Sequence, residues 1–234
     1  MKIEICANSF ASALAAQNAG ADRIELCSQL SVGGLTPSYG LITKVKEELT
    51  IPIHVLIRPR AGDFKYTKYE LDIMIRDIKF CKDLGCAGVV SGVLKKDTSL
   101  DASATKQLMQ AAGNLEFTFH RAFDLVPNAS ETLRVLEQLG VTRILSSGQK
   151  SKAIDGIETL KILLKISEGI QLMPGSGINT DNALNFKEAR FEMIHFSAIS
   201  KADAPHKPKG VSFNEGVEGT SDENVIRQIV ALVH

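Results

Sequence analysis

The sequence predicts a single-domain α/β fold over residues 1–234, a closed (β/α)8 TIM barrel. Three observations predict it. Short β-rich runs alternate with longer segments of helical period along the whole chain. The phrases Ala19-Gly20-Ala21-Asp22-Arg23, Leu84-Gly85-Cys86-Ala87-Gly88 and Leu139-Gly140-Val141-Thr142-Arg143 repeat one event, a helix stopped at glycine before the next strand. No strand runs into a GxGxxG turn and no Gly/Pro/Ser-rich linker divides the chain, which disfavours an open dinucleotide-binding sheet.

The elements follow in order. A first strand spans Lys2–Cys6, and the Ala-rich helix Phe10–Asn18 returns to the second strand, Arg23–Cys27. Helix Tyr39–Leu49 carries Leu41, Val45 and Leu49 on one face, with Thr36 as its expected cap and Pro37 in its first turn. The third strand, Ile53–Arg58, stops where Pro59 removes an amide donor. Helix Lys68–Leu84 shows Leu71, Ile75, Ile78 and Leu84 on a broad face and leads to strand Gly88–Ser91. Strands Glu116–His120 and Arg143–Ser146 flank helix Ser130–Leu139. Helix Ile154–Ser167, strands Gln171–Met173 and Met193–Phe196, and a last helix Ser221–Val233 capped by Ser221 or Asp222 complete the series.

Composition narrows the function classes. About 44% of the chain is hydrophobic, enough for a substantial core. Lys plus Arg number 27 against 27 Asp plus Glu, so no net charge draws the chain to nucleic acid or an anionic membrane. No window approaches the roughly 18 apolar residues of a membrane span, and the start, MKIEICANSF, lacks a leader pattern. Four cysteines are too few for a disulfide scaffold. A cytoplasmic, reduced setting is expected.

Charged residues inside strands are the informative ones. Ile3-Glu4-Ile5-Cys6 is echoed by Ile24-Glu25-Leu26-Cys27, and side chains alternate along a strand. The helix-facing side must be apolar, so Glu4, Cys6, Glu25 and Cys27 are expected inside the barrel. Arg58 and Arg60 share a face at the end of the third strand, and His120, Arg121 and Asp124 cluster at the end of the fifth. Buried charges need partners, and strand C-terminal ends form the active face of this architecture. Glu4, Glu25, His120 and Asp124 are therefore candidate catalytic groups, and Arg58, Arg60 and Arg121 candidate anion binders. A polar network that merely satisfies a barrel core is the competing reading.

Met173-Pro174-Gly175-Ser176-Gly177-Ile178 follows the seventh strand, where barrels hold phosphate with backbone amides, so Gly175, Ser176 and Gly177 join the anion-binding set. Gly33 and Gly34 permit close backbone approach after the second strand. Cys6 and Cys27 are either small buried hydrophobes or two thiolates for a soft metal such as Cu(I) or zinc. Cys81 and Cys86 are read as structural. Lys201–Gly210 is a basic loop, either a lid over an anion or a solvated connection.

Taken in order, Arg23-Ile24-Glu25-Leu26-Cys27, Gly33-Gly34-Leu35-Thr36-Pro37-Ser38, Ile57-Arg58-Pro59-Arg60, Phe119-His120-Arg121-Ala122-Phe123-Asp124 and Pro174-Gly175-Ser176-Gly177-Ile178 resemble the CutC copper homeostasis family over essentially the whole chain. The resemblance implies a cytoplasmic TIM-barrel protein linked to copper homeostasis, with homo-oligomers among its members. It implies Cu(I) binding or trafficking, with Cys6 and Cys27 matching the cysteine pair proposed there as the Cu(I) site. It also matches Glu4, Glu25, Arg58, His120, Arg121 and Asp124 to the family's polar cluster. Copper homeostasis is thus the leading expectation. The alternative is an isomerase, aldolase or hydrolase acting on a phosphorylated or carboxylated metabolite, because the charges at the barrel mouth exceed what two thiols need. The expected partners are a copper ion or an anionic small molecule.

Overall fold

A computed structural model describes residues 1–200 and 218–234, and shows a (β/α)8 TIM barrel. Its parallel strands are β1 (Lys2–Ala7), β2 (Arg23–Leu26), β3 (Ile53–Leu56), β4 (Gly88–Ser91), β5 (Glu116–Phe119), β6 (Arg143–Ser146), β7 (Gln171–Pro174) and β8 (Met193–Phe196). From β1 to β7 each strand hydrogen-bonds its sequence neighbours in that run, and β1 also pairs with β8. The β7–β8 seam closes through a single parallel bridge, Gly175 to His195. A Cβ at Gly175 would lie 2.5 Å from Leu145 Cδ1 and 3.3 Å from His195 Cβ, so a larger residue there would force the Leu145 side chain to shift.

The helices are α1 (Phe10–Asn18), α2 (Tyr39–Glu48), α3 (Lys68–Asp83), α4 (Ala102–Ala112), α5 (Ala129–Leu139), α6 (Ile157–Ile166), α7 (Ala183–Glu188) and α8 (Glu223–Val233). Helices α4 and α7 are additional to those marked by periodicity. Strands β2, β3 and β5 stop one or two residues short of their expected ends, so Cys27, Arg58 and His120 lie just past the ladder. The cap of α2 is Ser38, whose side chain accepts from the Leu41 amide. Thr36 instead accepts from the Arg58 amide at 2.9 Å, tying the β2–α2 loop to the end of β3. Asp222 caps α8. Thr67 and Glu70 form a reciprocal capping box on α3. The expected lid Lys201–Gly210 lies outside the described residues. No described helix is long and apolar enough to cross a membrane.

The core between sheet and helices is apolar. Ile3, Ile5, Ile24 and Leu26 pack outward into it with Phe117, Phe119 and Phe123. The opposite face of each strand points into the barrel, which carries Glu4, Cys6, Arg23, Glu25, Cys27 and His195, all buried. Cys81 and Cys86 are buried free cysteines, Cys81 near the end of α3 and Cys86 two residues before β4.

Candidate active site

A cavity of about 600 Å³ opens at the C-terminal ends of the strands. Its wall includes Cys6 from β1, Glu25 from β2, Leu56 from β3, Arg58 just beyond, His120 and Arg121 after β5, Ser176 and Gly177 after β7, and His195 from β8. A larger hollow of about 1060 Å³ lies at the other end of the barrel, beside Lys2, Arg23, Glu116, Arg143 and Gln171. There Arg143 donates to Glu116, Gln171 and Thr118, and His54 Nε2 lies 3.3 Å from Glu116. Its buried cations are answered by protein groups, which is the arrangement of a stabilising floor.

Behind the wall of the first cavity a chain of ionisable groups runs into the barrel interior. Arg23 Nε donates to Glu4 Oε2, and the other Glu4 oxygen lies 2.8 Å from His195 Nδ1. His195 Nε2 then lies 3.4 Å from Glu25 Oε2. Strand register makes this contact direct, because Glu4 pairs with His195 across β1–β8 and with Arg23 across β1–β2. Burial alone would raise the Glu4 pKa, but Arg23 and the His195 hydrogen bond outweigh it and hold this carboxyl well below its usual range. Burial dominates at Glu25, with repulsion from Glu4 added, and pushes its pKa up to about 7 against the pull of His195 and Arg23. His195 also feels burial most, which lowers it, yet its bond to Glu4 and the charge of Glu25 leave it raised.

Cys6, Glu25 and His195 are all buried, and one ligand atom from each lies within 4.8 Å of the other two, so the trio could coordinate a metal ion. The Cys6 and Cys27 sulfurs are 3.7 Å apart in a small apolar cluster with Leu56 and Val90. The hydrogen bond to Cys27, followed by burial, raises the Cys6 pKa well above an ordinary thiol's.

The opposite wall carries hydrogen-bond donors. Arg58 is 5% exposed, and its guanidinium donates to the backbone carbonyls of Val32, Gly34 and Gly62. Among the described residues no carboxylate lies within 4.0 Å of it, and its Nε has no partner. His120 packs against Phe64 with ring centroids 4.7 Å apart and the rings tilted by 53°, and the Phe64 ring also sits 5.0 Å from the Arg58 guanidinium carbon. The Ala122 amide donates to His120 Nδ1 at 3.2 Å, so Nε2 carries the hydrogen of the neutral ring, and it has no partner. Burial, reinforced by Arg58, pulls the His120 pKa down to about 3.

Not every expected site residue reaches the cavity. Glu4 sits behind His195, its oxygens occupied. Asp124 accepts from Arg121, Ser146, Ser147 and Gln149 and staples the β6 loop, away from the cavity wall. Arg60 turns outward and pairs with Glu70 and Asp63 on α3 and its leading loop, because Pro59 ends the strand alternation that would have kept it beside Arg58. Gly175 is spent on the barrel seam, while Ser176 and Gly177 line the wall. Arg121 lines the wall too, tethered to Asp124, Ser147 and Lys150.

Arg23, His195 and Phe64 belong to the site but carry no role in the expectations drawn from sequence. The first two were within reach: Arg23 alternates in phase with Glu25, and His195 is the inward position of Met193-Ile194-His195-Phe196. Phe64 lies in a loop, where no periodicity marks a side chain's direction.

Comparison with known proteins agrees with this architecture. The model of the CutC family matches residues 1–200. The family protein CutC of Salmonella agona is 42% identical over 218 residues, covering 92% of this chain and 88% of that one. The CutC protein of Streptococcus agalactiae, described as a candidate copper homeostasis protein, superposes with a TM-score of 0.81 at 33% identity, covering 84% of this chain and 98% of that one. Thiamine phosphate pyrophosphorylase from Pyrococcus furiosus shares the barrel, with a TM-score of 0.63 over 99% of this chain and 95% of that one, at 15% identity. A barrel with this motif order, matched over its length by CutC relatives, belongs to the CutC family.

Proposed function

We propose that this chain is a (β/α)8 enzyme acting on a small phosphorylated or carboxylated metabolite bound in the cavity at the strand C-terminal ends. One observation carries the reading. Arg58 is a buried cation with no carboxylate within reach among the described residues, and it faces the same cavity as Glu25 and His195. A buried guanidinium held by neutral carbonyls is costly unless an anion completes it, and an anionic substrate group does so.

Roles then divide by geometry. Arg58 and the neutral Nε2–H of His120 bind substrate oxygens, with Arg121, Ser176 and Gly177 on the rim. Glu25 and His195, poised to share a proton near neutral pH, are the proton-transfer pair, and Glu4 positions His195 as a fixed carboxylate. His120 and Asp124 move no proton in this scheme: the first stays neutral by burial, and the second is enclosed by donors. Isomerase, aldolase and hydrolase reactions each include proton transfers that such a pair can serve.

The test is a thermal-shift screen of phosphorylated and carboxylated metabolites. A compound that raises Tm in the wild type and fails to do so in Arg58→Ala supports the reading; a broad pool without a single stabilising compound overturns it.

A second reading keeps copper homeostasis, the role named for the Streptococcus agalactiae relative. It rests on the 3.7 Å approach of the Cys6 and Cys27 sulfurs, two soft ligands suited to Cu(I) as a cargo ion. Cu(I) titration under reducing conditions tests it. Equal, weak affinity in the wild type and in the Cys6→Ser/Cys27→Ser double variant removes it.

A further inference from the structure

We propose that Cys6, Glu25 and His195 form a three-residue site for a divalent cation of the zinc class, with its open coordination position facing the anion-binding cavity. This inference rests on the enzyme reading for Arg58 and the anionic substrate, and replaces one part of it: with the ion bound, Glu25 and His195 are its ligands rather than the proton-transfer pair, and the ion would polarise the substrate.

Geometry comes first. The three ligand atoms lie within 4.8 Å of one another and all three residues are buried. Zinc bonds of about 2.0–2.1 Å to nitrogen and oxygen at a tetrahedral angle place those two atoms about 3.3–3.4 Å apart. His195 Nε2 and Glu25 Oε2 are 3.4 Å apart.

The surroundings are those a metal-binding histidine needs. Nδ1 of His195 is taken by Glu4 at 2.8 Å, which fixes the ring and leaves Nε2 as the ligand atom. Arg23 holds the other Glu4 oxygen, so the carboxylate behind the imidazole is itself pinned. A carboxylate–histidine pair of this kind orients the ring and raises its basicity toward a metal.

Charge points the same way. Arg23 answers Glu4, but no lysine or arginine among the described residues lies within 4.0 Å of Glu25. The centre is therefore one positive charge short when both carboxylates are ionised. A divalent cation at the same place, bound by Cys6 as thiolate with the thiol proton released to solvent, brings the centre to balance.

Ligand type selects the class of ion. One sulfur, one nitrogen and one oxygen suit a borderline cation, whereas magnesium and calcium prefer oxygen alone and Cu(I) prefers sulfur. Three protein ligands leave a fourth position, as in catalytic rather than structural zinc sites. All three residues line the cavity, so that position is open to water or to an oxygen of a substrate held by Arg58. Cys27 is not part of the trio.

The experiment uses the full chain after treatment with a chelator. Zn²⁺ is expected to raise Tm, and Co²⁺ to give the visible bands of a tetrahedral site together with a thiolate charge-transfer band. Cys6→Ser removes the charge-transfer band, Glu25→Gln and His195→Gln weaken binding of both ions, and Cys27→Ser changes neither ion's binding. Absence of both a Zn²⁺ shift and a Co²⁺ spectrum in the wild type, which needs no variant to fold, overturns the proposal. So does equal loss in Cys27→Ser and Cys6→Ser, which would place the ion between the two thiols. Inorganic phosphate is titrated separately against the metal-free wild type and Arg58→Ala. An Arg58-dependent shift without metal binding keeps the enzyme reading and removes this site. Metal binding with no such shift keeps the site and counts against the enzyme reading.

Discussion

His195 Nδ1 lies 2.8 Å from Glu4 Oε1, across the ladder that joins the first and last strands of the barrel. The two residues are far apart in sequence, and Arg23 grips the second oxygen of Glu4 from β2. Barrel closure therefore builds the charged cluster behind the cavity wall: without β8 beside β1, Glu4 loses its imidazole and Glu25 its neighbour.

The Glu4–Arg23 pair makes the first prediction. Both residues are buried, and removing one partner of such a pair costs about 3–5 kcal/mol because the other charge is stranded. Arg23 has Glu116 at 3.5 Å as a second, weaker partner, so Glu4→Gln is expected at the low end of that range. The double variant Glu4→Gln/Arg23→Met should recover part of the loss. Urea unfolding curves of the two variants measure both effects, and a Glu4→Gln protein as stable as wild type contradicts the account.

Arg58 and Arg60 are two residues apart and are expected to behave oppositely. Arg58→Ala should abolish stabilisation by an anionic ligand, whereas Arg60→Ala should leave it intact. Arg60 is a partly exposed surface pair with Glu70 and Asp63, so its loss costs stability of only about 0.2–1 kcal/mol. Thermal shifts with and without inorganic phosphate separate the two. Equal loss of the ligand effect in both variants would show that Arg60 turns inward.

His120 gives a pH prediction with a definite sign. Its folded pKa is about 3 against a reference of 6.5, so the unfolded chain binds a proton more readily between those values. The stability it contributes is complete above pH 6.5 and drains away as pH falls toward 3. In His120→Gln that contribution to the slope disappears. Nitrogen-15 spectra should show the Nε2–H tautomer unchanged from pH 8 to pH 5, and an imidazole titrating near 6.5 would refute the assignment.

A methyl group at Gly175 should destabilise the barrel seam. The added Cβ meets Leu145 at 2.5 Å and His195 at 3.3 Å, in the one bridge that joins β7 to β8. Gly175→Ala is expected to cost about 1–3 kcal/mol, the usual penalty of overpacking. Denaturant unfolding measures it, and amide hydrogen exchange should speed up most in β7 and β8.

Much of the inner wall is legible in the sequence. Period-two alternation places Glu4, Cys6, Glu25 and Cys27 inside because Ile3, Ile5, Ile24 and Leu26 need the apolar helix side. The same rule, carried to Arg23 and His195, reaches the rest of the centre. It fails beyond strand ends. Arg60 and Asp124 sit in irregular backbone, where direction is set by local partners such as Glu70 for one and Ser147 for the other.

The sequence by itself determined the barrel, its strand order and which strand faces carry charge, since these follow from local periodicity and from glycine stops. Only the tertiary structure decided which charges meet. Glu4 with His195, Glu25 with His195, and Arg58 left without a carboxylate among the described residues are outcomes of register and closure between distant strands, which no local pattern encodes.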